Sequence, residues 1–114
     1  MSTQISYAKI LSGATTSGAV GSPEMVPVAI QIGDAITGAT VSFTASALDS
    51  SDLSDPFTDY GALYNVNGAV SYAVAADRFI ALSPSDFAGV RSFKIVSASA
   101  EGADRLIAVI VQSA

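Results

Sequence analysis

The chain has 114 residues, half of them hydrophobic, which is the length of one domain and enough apolar material for a core without metal or disulfide staples. It contains no cysteine and no histidine, which excludes disulfides, Ser–His and Cys–His nucleophilic chemistry and the usual zinc ligands. Its net charge of −5, with five scattered bases against ten acids, excludes the basic stripe that a nucleic-acid groove or an anionic membrane surface demands.

No apolar run approaches the roughly 20 residues that span a bilayer. The N-terminal MSTQISYAKILSG lacks the basic region of a signal peptide. The expectation is a soluble protein, or one that joins a soluble assembly, with neither nucleic acid nor membrane as partner. Small and β-branched residues dominate, and short runs are punctuated by Gly, Pro, Ser and Asp. That pattern predicts an all-β, antiparallel sandwich or barrel.

In chain order, residues 1–22 read as an N-terminal arm, extended or partner-bound, and 23–114 as the β-sandwich domain. The arm holds a weakly patterned edge strand at 5–11 and the small, polar loop SGATTSGAVGS at 12–22. Pro23 and Pro27 restrict the ladder that follows, because proline offers no N–H. At 26–32, Val26, Val28, Ile30 and Ile32 alternate with Pro27, Ala29 and Gln31, which predicts a strand with one buried face. After a turn at 33–38, Val41, Phe43 and Ala45 face inward and Thr40, Ser42 and Thr44 outward.

The acidic loop LDSSDLSDPFTDY occupies 48–60. Tyr60, Leu63, Tyr64 and Val66 then offer packing surface, and Asn67-Gly68 signals a hairpin linking 63–66 to 70–74, since both central positions of such a turn want positive φ. Residues 75–77 form a corner into RFIALSPSDFAGVRSFKIV, 78–96. This stretch predicts a strand at 78–82, one short helical turn at 83–89 and a strand at 90–96. Ser83 is placed to cap the turn, Pro84 suits its first position, Asp86 its positive end, and Gly89 a left-handed exit. Phe87 becomes a plug over the end of the core. A polar loop at 97–104 leads to RLIAVIVQ, 105–112, with Leu106, Ala108 and Ile110 on one face and Ile107, Val109 and Val111 on the other. Both faces are apolar, so the strand is covered on both sides, either within the chain or by a neighbouring subunit.

Three groups of residues invite a chemical reading. Asp49, Asp52, Asp55 and Asp59 fall within eleven residues and offer oxygen ligands for calcium. Their spacing is not that of an EF-hand loop and no glutamate closes the set, so a solvated loop is preferred. Carboxylate pairs also run glycoside hydrolysis, but that reaction needs a carboxyl raised in pKa inside a cleft, and these lie in a serine-rich loop. Tyr7, Tyr60, Tyr64 and Tyr72 suit either a sugar-binding platform or, the preferred reading, half-buried packing. Arg78, Arg91 and Arg105 lie near Asp77, Asp86 and Asp104, which reads as structural pairing. No Gly-rich phosphate motif follows a strand and opens a helix. No catalytic residue and no cofactor are expected.

The segments RFIAL at 78–82, PSDFAGVR at 84–91, FKI at 93–95 and ADR at 103–105 resemble a shared pattern of small phage and prophage virion structural proteins. Upstream, VAIQI at 28–32, VSFTAS at 41–46 and FTDYGALYNVNGAVSYAVAADRF at 57–79 extend the resemblance over 26–114. The chain departs from the pattern in a longer, more aspartate-rich insertion at 48–56 and a shorter loop at 97–104. The resemblance implies a jelly-roll-like β-sandwich on the capsid surface of a virion, as a head decoration, cement or fibre component, made in the host cytoplasm. It carries over no catalytic residue. The expected role is a capsid decoration or cement protein, a homotrimer bound to the major capsid protein. The alternative is a tail or fibre module that recognises host glycan through Tyr60, Tyr64 and the aspartates. Interface candidates are Ile5, Tyr7 and Ile10 from the arm and Ile107, Val109 and Val111 from the last strand.

Overall fold

Strands formed by alternating β-branched and small residues make up more than half of the described residues. A computed structural model describes residues 3–21, 25–47 and 60–113, and Asp49, Asp52, Asp55 and Asp59 lie outside them. The described strands are β1 (Thr3–Ile10), β2 (Val20–Gly21), β3 (Met25–Gln31), β4 (Thr40–Ser46), β5 (Gly61–Ala62), β6 (Tyr64–Asn65), β7 (Gly68–Ala69), β8 (Ser71–Ala73), β9 (Phe79–Ala81), β10 (Ser92–Ser97) and β11 (Arg105–Ser113). A 3₁₀ turn at Pro84–Phe87 joins β9 to β10.

One sheet has the order β1-β11-β3-β9, and the other runs β2-β10-β4 with β5 and β8 both on the far side of β4. Every pairing is antiparallel. With β5 and β8 taken as one interrupted strand, this is the strand order of a jelly roll, an antiparallel sandwich of two interleaved sheets. Thr44 and Ala45 of β4 face Ala62 and Gly61, whereas Thr40 to Ser42 face Ala73 to Ser71. The β6–β7 hairpin is therefore an excursion from one strand, closed at its base where the Val70 N–H donates to the Leu63 carbonyl at 2.9 Å.

The core lies between the sheets. Ile107, Val109 and Val111 of β11 and Ala8 and Ile10 of β1 meet Val41 and Phe43 of β4 and Phe93 and Ile95 of β10. Phe87 seals one end, 1 % exposed, its ring edge-on to Phe43 at 5.1 Å and to Phe93 at 5.7 Å. Pro84 sits in the first turn and Gly89 leaves it with φ of +83°. The Ser83 side chain makes no capping bond. Instead the Ser83 N–H donates to the Tyr72 hydroxyl at 2.9 Å, so the turn is fastened from the second sheet. Tyr72→Phe is accordingly expected to cost about 1 kcal/mol and Ser83→Ala almost nothing, as read by chemical denaturation.

Three details differ from the sequence expectation. Of the segment 1–22, the described residues 3–21 are built into the sandwich: β1 pairs along its whole length with β11, and Val20 and Gly21 pair with β10. A β-bulge shifts the β3–β11 register, so that Ile110 faces Ala29 but Val111 faces Pro27. Pro27 is thereby buried and Val28 only half-buried, because the extra residue inverts the alternation on its N-terminal side. The hairpin turn is centred on Val66 and Asn67, one residue earlier than expected. The Asn65 side chain accepts the Asn67 N–H at 2.8 Å, an Asx turn, and Gly68 supplies the positive φ of +121° as the chain re-enters the ladder.

Candidate functional site

Glu101 is the one buried carboxylate among the described residues, 2 % exposed in a loop that is otherwise small and polar. Its backbone meets the 11–14 loop, accepting from the Gly13 N–H at 2.7 Å and donating to the Ala14 carbonyl at 3.0 Å. One carboxylate oxygen accepts from the Thr37 N–H at 2.8 Å and the Arg105 Nε at 2.9 Å. The other accepts from the Gly38 N–H at 3.0 Å and the Ser97 hydroxyl at 2.7 Å. Burial alone raises the pKa of such a group, but the donors from Thr37, Ser97, Arg105 and Gly38 outweigh it and hold the carboxyl at about 2. Both oxygens are engaged and no proton is available near neutrality. This is a lock across three loops rather than an acid or base for chemistry.

The lock explains why position 38 is glycine. A Cβ there would lie 2.1 Å from the Ser97 hydroxyl oxygen and 3.1 Å from the Ala98 nitrogen. Gly38→Ala must push aside the hydroxyl that feeds Glu101, so a loss of about 1–3 kcal/mol is expected, measured as a lowered melting temperature.

The expected Arg–Asp pairs are rearranged. Arg105 binds Glu101, while Asp104 accepts the Ser12 N–H at 2.8 Å and approaches Lys9 at 3.7 Å. Asp86 accepts from the Asn65 side chain at 3.2 Å. Among the described residues no three acids cluster as metal ligands, and no helix is long and apolar enough to cross a membrane.

The tyrosines do not form one platform. Tyr72 is half-buried, edge-on to Phe43. Tyr60 shares a hydrogen bond with Ser92 at 3.0 Å and lies under the Lys94 ammonium, 4.6 Å from its ring centroid. Tyr7 belongs to the other sheet. Tyr64 is 66 % exposed and borders an open groove of about 400 Å³, whose lining among the described residues is small and uncharged, as at Ala45, Ala62 and Ala88.

The two outer faces of the sandwich differ in kind. On the second sheet, the residues that alternate with buried Val41 and Phe43 carry hydroxyls: Thr40, Ser42, Thr44 and Ser46, with Ser71 and Lys94 beside them. On the first sheet the register builds rows across all four strands. Ile5, Ile110, Ala29 and Ala81 form one row, and Tyr7, Ala108, Gln31 and Phe79 the next, with Lys9 and Leu106 beyond. No carboxylate stands in these rows. Ile5, Tyr7, Phe79 and Leu106 are each more than half exposed.

The interface candidates therefore separate. Ile5 and Tyr7 point outward from β1, whereas Ile10, Ile107, Val109 and Val111 are buried in the chain's own core and present nothing to a partner. The face of β11 that lacks cover is the opposite one, Leu106, Ala108 and Ile110. Glu101 went unread in the sequence. The only signal for it is that it is one of two glutamates among ten acids, one glycine ahead of Ala-Asp-Arg.

No family model matches the sequence, and no curated protein matches it. Among solved structures, the chain is similar in fold to the SPBc2 prophage-derived protein YomS, with a TM-score of 0.52 at 14% sequence identity, over 97% of this chain and 95% of that one.

Proposed function

We propose that the chain is a virion structural protein of a phage or prophage, a decoration or cement protein of the capsid surface made in the host cytoplasm. It acts as a homo-oligomer, taken as a trimer, bound to the major capsid protein. The observation that carries this reading is the likeness in fold to a prophage-derived protein over nearly the whole of both chains. The motifs at 78–82, 84–91 and 103–105 support it from the sequence. The mechanism is mechanical: apolar sheet surface is buried against neighbouring subunits, and the sandwich resists strain because its loops are locked and its ends plugged. The reading assigns the chain no reaction and no cofactor.

Deleting the gene from its phage and comparing purified particles tests the proposal. Wild-type heads are expected to contain the protein, and heads lacking it to release DNA at lower temperature. Particles free of the protein in the wild type, or heads equally robust without it, count against a cement role.

A second reading, a tail or fibre module for host glycan, draws on exposed Tyr64 beside the open groove. Binding of the purified chain on a glycan array, lost in Tyr64→Ala, would favour it over the capsid role.

A further inference from the structure

We propose that the outer face of the β1-β11-β3-β9 sheet is the contact between copies of this chain. The inference rests on the homo-oligomer part of the reading above and stands without the virion part; because a face that packs on its own copy is two-fold, it makes a pair in place of the trimer.

The contrast between the two outer faces is the first argument. A solvent-facing side of a sandwich alternates buried apolar residues with polar ones, as β4 does. On the first sheet the outer side is also largely apolar, Gln31 and Lys9 apart, and four large side chains, Ile5, Tyr7, Phe79 and Leu106, stand more than half exposed. Such contiguous patches mark contact surfaces.

Charge then selects the occupant. The chain carries a net charge of −5, so two copies repel unless they meet where acids are missing. The rows of this face hold no carboxylate. Among the described residues, charges stand only at its margin: Lys9 beside Asp104 of the same chain at 3.7 Å, and Asp77, whose N–H donates to the Gly33 carbonyl at 2.8 Å where the β3–β9 ladder runs out. Nothing in the face recruits an acidic or basic ligand, and everything in it tolerates another copy of itself.

Size and relief agree. At about 4.8 Å between strands and 3.3 Å per residue, the four strands and three rows span roughly 14 Å by 13 Å between backbone centres. The molecule's extents of 34 × 32 × 28 Å leave a rim around them. The apolar centre alone is smaller than a standard interface of about 800 Å² per partner, so a contact of that size draws on the rim as well, as interfaces with an apolar core and polar rim do. Large side chains stand on the edge strands, Ile5 and Tyr7 on β1 and Phe79 on β9, while Ala29 and Ala108 lie in the strands between. Stacked sheets interdigitate in this way, projecting residues over small ones.

The test is light scattering of the purified full chain across a dilution series. The wild type is expected at an integral multiple of 11.5 kDa. Leu106→Glu and Phe79→Glu are expected at 11.5 kDa with unchanged circular dichroism, because these side chains are exposed in the single chain. Ser71→Glu, on the hydroxyl-bearing face, should keep the wild-type mass. As the chain has no cysteine, Tyr7→Cys or Phe79→Cys provides a second readout that needs no charge in the face. Mild oxidation should cross-link these variants between chains, and Ser71→Cys should remain uncrossed. A wild-type chain at 11.5 kDa throughout, including one whose face binds capsid protein instead, overturns the proposal, as do glutamate variants that keep the wild-type mass.

Discussion

Replacing Glu101 with alanine is expected to reduce stability by about 3–5 kcal/mol, the usual consequence of removing one partner from a buried charged network. The substitution strands the Thr37 and Gly38 N–H groups, the Ser97 hydroxyl and the Arg105 guanidinium together. For a chain of this size that corresponds to a fall in melting temperature on the order of 15 °C. Glu101→Gln keeps the shape but turns a donor toward donors, so it should recover little. The pH dependence carries the same signature. The folded pKa of about 2 lies below the ordinary 4.5, so this contribution is complete above pH 4.5 and vanishes as pH falls through 2. It amounts to about 3 kcal/mol at ~1.4 kcal/mol per unit. Urea unfolding of wild type and Glu101→Gln at both ends of that window measures the difference: the gap between them should close in acid. A gap that persists at pH 2 would show that the carboxylate's charge is not what holds the loops.

Phe87→Ala is expected to cost a similar 3–5 kcal/mol by cavity formation. Its ring fills the space between Phe43 and Phe93, edge-on to both, and the short Pro84–Phe87 turn has no other buried side chain to anchor it. Phe87→Leu should lose less, since most of the volume stays while the edge-to-face contacts go. Thermal unfolding followed by near-ultraviolet circular dichroism reads both effects. A Phe87→Ala chain with wild-type stability would mean that the turn is dispensable to the core.

Much of this architecture is legible in the residues. Alternation alone marks β4, β10 and β11, and the run from Ser83 to Gly89 announces a single turn with Phe87 as its plug. What alternation cannot supply is a sense of direction. It divides β11 into Leu106, Ala108 and Ile110 against Ile107, Val109 and Val111, but both sets are apolar, and only the opposing sheet decides that the second is inside. The bulge at Val28 is hidden for a related reason, because it exists in the register with β11 and has no composition of its own. The Asn67-Gly68 pair marks the hairpin correctly and misplaces its centre, since the Asn65 side chain captures the turn one residue earlier. Glu101 is the hardest to foresee: its backbone donors at Thr37 and Gly38 lie more than sixty residues away in the chain.

The interrupted strand formed by β5 and β8 has a consequence for how this scaffold tolerates change. Everything from 64 to 69 leaves the sheet, which the chain rejoins beside the same strand, and its tip, Val66, is fully exposed. The closing bond between Val70 and Leu63 is made at the base, before the excursion begins. Foreign peptide spliced between Val66 and Asn67 is thus carried clear of both sheets, with the entry and exit points already held together. The jelly roll has a display site built into it, whose cargo can lengthen without the ladder of β4 taking any notice.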